Sequence, residues 1–281
     1  MGTKEYSILY LTDFYYPAKG RKYYEEDLYI IDQLRDTFKI LICHPLHSKD
    51  FESIVDIIVF RNTGSVIYYK DYFQKFVERI DHMNILVYNA LTGKGDMKGK
   101  QHLLDLTKEN YPVIPSIEDL TAMEKLPVSE TYILKLKNGA DSIGMKQVSH
   151  QDLPNLNLKG YIVQPYVDFE YEVSFYFVDS DFQYALYAPD KEKRWVLEQY
   201  KPSREDLQFA TKFIEWNALG HGIQRVDACR LTDGKLLLVE LEDLNPYLSL
   251  DALSPEARQH FISSFKASLL RQLDLNVLNQ K

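Results

Sequence analysis

The chain has 281 residues, 26% of them charged and 45% hydrophobic, which suits two ordinary soluble domains or one with a large insertion. Its 33 basic residues stand against 41 acidic ones, and a net charge of −8 argues against a phosphate-dominated nucleic-acid surface. The longest apolar runs are too short for a bilayer, and two lone cysteines, Cys43 and Cys229, fit a reduced, cytoplasmic compartment.

The first hundred residues alternate strand and helix patterns. "SILYL" reads as a strand, and "YEEDLYIIDQLRDTF" places Leu28, Ile31, Leu34 and Phe38 on one helical face. "KILICH" and "DIIVF" are strands, "YKDYFQKFVERI" a helix aligning Tyr72, Phe76 and Ile80, and "NILVYNA" a fourth strand. Such alternation predicts an open, parallel α/β sheet with ligands beyond the carboxyl ends of its strands. The loops after Thr12 and Asn89 are therefore ligand candidates, with the Tyr-rich, basic "TDFYYPAKGRKYY" and Asn89 to Thr92 as substrate walls. "LICHPLHSKD" groups Cys43, His44, His47 and Asp50, residue types that zinc accepts, although His-x-x-His at a strand end is more often solvated.

The middle is α+β. "KGKQHLLDLTKEN" is a helix, "YPVIPS" is extended by its prolines, and "IEDLTAMEKL" is a helix. "YILKLKNGADSIGM", "YIVQPYV", "EVSFYFVD" and "FQYALYA" contain strands suited to antiparallel hairpins. Two helices follow: one opens on Ser203 as N-cap with Asp206 three residues on, the other on Ser254 with Pro255 at its first position. Between them lie "IQRVDACR" and "KLLLVELED". Alternation puts Glu240 and Glu242 on one face. A turn at Asp233-Gly234 brings Asp227 close to facing Glu240. Carboxylates gathered this way repel unless a cation stands among them, and Mg²⁺, with hard oxygen ligands at about 2.0–2.1 Å, suits the set. The plainer reading is a solvated strand face paired with Arg225, Arg230 or Lys235.

This constellation resembles the ATP-grasp superfamily, in particular its glutathione synthetase-like and RimK-like carboxylate–amine ligases. The signature stands here as Arg225-Val226-Asp227, then Glu240-Leu241-Glu242, then Asn245-Pro246. The resemblance implies Asp227, Glu240 and Glu242 as metal ligands; Glu242 stands where Asn is usual, so Asn245 competes to complete the site. "ILKLKNGADSIGM" is similar to the family's lysine strand and glycine loop, with Lys135 on the phosphates and Gly139 and Gly144 framing the loop. Leu136 replaces the usual proline, and Asp141 and Ser142 replace the middle glycines. "IVQPYVDFEYEVS" resembles the adenine hinge. It implies backbone contacts from Gln164, Pro165, Tyr166 and Val167, ribose contacts from Gln164 or Asp168, and an acidic position at Glu172 followed by Ser174. Lys100, with Lys98 as fallback, matches a second phosphate lysine, Arg194 an arginine near the γ-phosphate, and Arg225 the group facing the reacting carbonyl.

The implied architecture is α/β plus α+β: an amino-terminal open parallel α/β (pre-ATP-grasp) domain over 1–97, then a two-lobed ATP-grasp domain over 98–281. Its small lobe spans about 112–168 and its large lobe about 169–281. The implied function is an ATP-dependent, Mg²⁺-requiring (or Mn²⁺-requiring) ligase joining a carboxylate to an amine through an acyl phosphate. Its partners would be small molecules, amino acids or a peptide, without nucleic acid or membrane; a homodimer is compatible. The altered glycine loop and the Glu-x-Glu keep a nucleotide-binding regulatory protein open, and a small-molecule kinase is a second alternative.

Overall fold

The computed structural model describes residues 5–16, 22–61, 70–139 and 144–279. Part of the Tyr-rich segment and the loop interior with Asp141 and Ser142 lie outside the described residues. The amino-terminal unit comprises β1 (Ser7–Leu11), α1 (Tyr23–Leu34), β2 (Lys39–Cys43), β3 (Ile57–Phe60), α2 (Lys70–Met83) and β4 (Val87–Tyr88). The strands run parallel in the order β2-β1-β3-β4. Ile8 to Leu11 are fully buried, as a strand covered on both faces requires.

Helix α1 departs from its expected face. Leu28 is exposed, and the buried stripe is Glu26, Asp27, Ile30, Ile31 and Leu34. Two carboxylates turn inward because Arg61, itself buried, lies against them. Helix α2 keeps its expected core positions, with Phe76 and Ile80 buried.

Next come α3 (Gln101–Lys108) and, where a helix was expected, 3₁₀ turns over Leu120–Lys125 broken by a kink at Ala122. They lead to β5 (Thr131–Leu136), β6 (Lys146–Ser149) and β7 (Tyr161–Pro165), an antiparallel sheet of order β6-β5-β7. The last sheet has β8 (Tyr171–Val178), β9 (Asp181–Ala188), β10 (Glu198–Tyr200), β11 (Ile223–Arg230) and β12 (Leu236–Glu242), antiparallel in the order β10-β9-β8-β11-β12. Helix α4 (Arg204–Asn217) opens with the reciprocal Ser203–Asp206 capping box and ends at left-handed Ala218. The Ser254 hydroxyl caps α5 (Pro255–Asn279) by accepting from the Ala257 N–H.

One apolar cluster joins the amino-terminal unit to the five-stranded sheet: Ile8, Tyr10 and Ile30 pack with Tyr176, Leu186, Phe261 and Phe265. Each such large side chain withdrawn from water contributes about 1.5–3 kcal/mol. A second cluster holds α3 and α4 against the other face of that sheet. The parallel unit is thereby fixed beside the end of the β11–β12 hairpin.

That hairpin contains a device the sequence reading did not foresee. Asp227 pairs with Glu240 and Arg225 with Glu242, but Ala228 pairs with Leu238, leaving Val239 as an extra residue. A bulge reverses the facing of everything beyond it. Leu236 and Leu238 on one side, and Leu241 on the other, all reach the buried core. Glu240 and Glu242 are thereby turned away from the leucines, to the opposite face.

Candidate active site

The face to which the bulge turns these carboxylates opens on a cavity of about 660 Å³. Arg225 and Asp227 reach it from β11, Glu240 and Glu242 from β12, and Asn245 from the chain just beyond. Glu172 and Ser174 enter from β8, Lys98 and Lys100 from the turn before α3, Gly139 from the chain after β5, and Arg194 from the β9–β10 connection.

The carboxylates are met by cations of the chain itself. Arg225 Nη2 donates to Asp227 Oδ2 at 2.9 Å and to Glu242 Oε1, while its Nη1 donates to the Tyr247 carbonyl at 2.9 Å. Ser174 Oγ donates to Asp227 Oδ1 at 2.6 Å. Lys100 Nζ donates to Glu240 Oε1 at 2.8 Å and to the Gly139 carbonyl at 2.7 Å. Burial opposes ionisation of Glu240, but Lys100 and then Lys135 outweigh it and hold the carboxyl down at about 2. Burial likewise disfavours the charged forms of Lys100 and Arg225, yet Glu240 raises the former, and Asp227 with Glu242 the latter. Lys135 is the exception: burial lowers its pKa, and the nearby charges of Glu240 and Glu172 do not make up the difference.

As a metal site this set has the right chemistry, oxygen donors only, side by side on two strands. Side-chain exposures of 21%, 27% and 21% for Asp227, Glu240 and Glu242 leave each open to the cavity. Among the described residues, no three His, Cys, Asp or Glu side chains stand together as ligands. The head of Arg225 spans Asp227 and Glu242, so in this arrangement those two carboxylates are paired with the arginine, as the plainer reading of the strand face has it.

Arg194 grips Glu172 through two bonds, Nε–Oε2 at 2.6 Å and Nη2–Oε1 at 2.8 Å, placing a guanidinium on the cavity wall opposite Lys100 in sequence but in the same space. Gly144, at φ +70°, lies against Leu136. The hinge residues are arranged differently from expectation. Gln164 is buried and its amide donates to Ser116 Oγ at 2.8 Å and the Ile114 carbonyl at 3.3 Å, so its side chain is held inside rather than offered to a ribose. The Tyr166 N–H is taken by the Thr131 carbonyl, and exposed Asp168 pairs with Lys191 at 2.9 Å. Pro165 pairs with Tyr132 on β5, and neither it nor Val167 lines the cavity.

One further expectation changes. Asn89 is buried, donating to the Ile223 and Asp243 carbonyls and accepting from the Ile223 N–H; it ties β4 to β11 and β12 and is no cavity wall. Among the residues of zinc-accepting type, Cys43 Sγ donates to the His44 carbonyl and His44 Nε2 meets Asp13 at 3.2 Å.

Sequence reasoning missed the residues that hold Lys100 in place. Asp243, fully buried, accepts from the N–H groups of Gly95 at 2.7 Å and Met97 at 3.1 Å. Asp96 reciprocates, accepting from the N–H groups of Asp243 at 2.7 Å and Leu244 at 2.9 Å. His102 adds a third tie, Nε2 accepting from the Leu241 N–H at 3.3 Å. A Cβ at Gly93 would stand 2.1 Å from the Asp243 carboxylate, and one at Gly95 2.6 Å from the Leu241 carbonyl, so glycine alone allows this embrace. The glycines of "TGKGD" were the available signal.

No protein-family model and no curated protein matches the sequence. Solved structures do match. D-Cycloserine synthetase DcsG superposes with a TM-score of 0.72 at 18% identity, covering 95% of this chain and 99% of that one. D-Alanine–D-alanine ligase from Bacillus anthracis, complexed with ATP, gives 0.69 at 12% identity over 96% and 99%. ATP-grasp ligase PsnB, complexed with a phosphomimetic precursor variant, Mg and ADP, gives 0.61 at 14% over 94% and 99%. A parallel sheet followed by two antiparallel sheets, matched over nearly the whole length of each, gives this chain the ATP-grasp fold.

Proposed function

We propose that this chain is an ATP- and Mg²⁺-dependent ligase that joins a carboxylate to an amine. One observation carries the reading: Lys100, Arg194 and Arg225 converge with Asp227, Glu240 and Glu242 on a single cavity of about 660 Å³. The similarity in fold to ligases complexed with ATP, or with Mg and ADP, supports the same cofactors. Mn²⁺ is an acceptable substitute by donor chemistry.

In this reading Lys100, Lys135 and Arg194 hold the phosphates. Lys135 suits the task because its ammonium is desolvated and underpaired, so an anion improves its surroundings. Asp227, Glu240 and Glu242, with Asn245, would hold the metal, which when bound offsets charge on the triphosphate. The substrate carboxylate attacks the γ-phosphorus and ADP leaves, giving an acyl phosphate. The amine then attacks the acyl carbon, loses a proton and expels inorganic phosphate. Arg225, freed from Asp227, steadies the oxyanion of the tetrahedral intermediate. No nucleophilic side chain is required; positioning and charge neutralisation carry the chemistry.

The test is ADP and phosphate release from ATP and Mg²⁺ in the presence of pooled amino acids. Glu240→Gln should lower turnover at least about a hundredfold, by the scale of lost transition-state electrostatics, while the denaturation midpoint holds. Full activity in that variant, or no amine-dependent ADP release from the parent chain, overturns the ligase reading.

A further inference from the structure

The proposed chemistry occupies only part of the cavity. The remainder lies beyond Arg225 and is built from rings. Tyr23 of α1 stacks on Tyr247 with centroids 4.1 Å apart and planes 15° from parallel, and Tyr16 joins Tyr23 at 5.8 Å. All three line the cavity. Facing the same space from α2 are Phe73 and Val77, which pack in one cluster with Met97 and Leu244, with the polar Lys70, Gln74 and Glu78 beside them.

The Tyr247 wall is held from behind by buried charge. The Glu26 carboxylate accepts from the N–H groups of Leu248 at 2.9 Å and Leu250 at 3.0 Å. Arg61 Nη1 donates to the Pro246 carbonyl at 2.7 Å, and Arg225 Nη1 to that of Tyr247 itself. The backbone on each side of Tyr247 is thus fixed by three charged side chains, two of them almost wholly buried. A wall fixed before its ligand arrives loses little entropy on binding. Flat rings on one side, with Phe73 and Val77 among the residues on the other, favour a guest carrying an aromatic ring in offset or edge-on contact. The guanidinium of Arg225 lines the same cavity and donates to the Tyr247 carbonyl, within reach of the guest's carboxylate.

We propose that this end of the cavity is a side-chain pocket for an aromatic amino-acid substrate, free or at a peptide terminus, with Tyr23, Tyr247 and Phe73 as its specificity-determining walls. The assignment rests on the ligase reading above for what happens to that substrate, but not for whether it binds. It makes a substrate as small as alanine a poor occupant, because a methyl group offers the rings little apolar surface to bury.

Calorimetry of the full chain separates the two ideas, because it needs no turnover. Phenylalanine and alanine, each as both enantiomers, are titrated into protein carrying Mg²⁺ and a non-hydrolysable ATP analogue. One enantiomer of phenylalanine should bind at least about tenfold tighter than the matching alanine, the lower end of discrimination by an apolar pocket. Tyr247→Ala should shrink that ratio to about twofold, and Val77→Trp, filling the pocket from α2, should do the same if Tyr247→Ala fails to fold. In ADP release, the same variants should raise KM for the aromatic substrate more than they lower kcat. Equal binding of the two amino acids, no binding of either, or a preference untouched by both variants overturns the pocket. An intact preference without ADP release sinks the ligase reading and leaves the pocket standing.

Discussion

Two arginines in this molecule are each flanked by two carboxylates, and they serve opposite ends. Arg61 lies 3.6 Å from Glu26 and 3.7 Å from Asp27, with side-chain exposures of 1%, 4% and 0%. Arg225 spans Asp227 and Glu242, with exposures of 16%, 21% and 21%, on the wall of the cavity. Burial of a charge demands a partner in both places. At Arg61 the three groups are sealed together inside the fold, close enough for charge to compensate charge. At Arg225 the cavity supplies a route by which one cation can replace another. Residue types alone do not distinguish a structural ion cluster from an exchangeable one; access to solvent does.

The comparison breaks first at Arg61. Arg61→Ala leaves Glu26 and Asp27 buried without their cation and should destabilise the fold by about 3–5 kcal/mol. Arg225→Ala, whose carboxylates can be solvated through the cavity, should cost about 1 kcal/mol while removing ligase turnover. Chemical denaturation of both variants checks this, and comparable losses would erase the distinction.

A pH series sharpens it. Burial pushes the Glu26 carboxyl up from 4.5 to about 7, against the pull of Arg61 and the two N–H groups it accepts from. The folded state therefore holds this proton more tightly than the unfolded one. The associated stability is complete below about pH 4.5 and is lost as pH rises through about 7. Between those limits the parent chain should lose up to about 3 kcal/mol relative to Glu26→Gln. Melting curves of the two proteins, subtracted, measure it; a flat difference contradicts the sealed character of the site.

The smallest expected effect concerns Lys135, a half-buried cation that the proposed function places on the phosphates. Lys135→Met should weaken nucleotide binding by about ten- to hundredfold, the range for a hydrogen bond to a charged group. It should leave stability unchanged or slightly raised, because a desolvated ammonium is removed. A clear loss of stability would place Lys135 with Arg61 as a structural charge.

Much of this was readable in the sequence where contacts are local. The parallel alternation and the Ser203–Asp206 cap follow from spacing alone, whereas Asp227 meets Glu240 only through the register shift at Val239. What escaped depends on distant partners. Leu28 was assigned to the core because periodicity counts apolar residues, whereas the true face of α1 carries Glu26 and Asp27, neutralised by an arginine more than thirty positions away. The hinge glutamine was given to a ribose because nothing local reveals that Ser116 and Ile114 occupy its amide. The bulge at Val239 has no glycine to announce it; it shows only when two strands are aligned.

The mutual grip of Asp96 and Asp243 has a mechanical consequence. Four main-chain N–H groups bind the turn before α3 to the end of β12, so Lys100 and Glu240 belong to one stiff body. The gap between that lysine and that glutamate is held at a constant setting, like the jaws of a locked calliper. A methyl group at Gly93 or Gly95 would force the jaws apart and misalign the phosphate end without touching a single residue in contact with it.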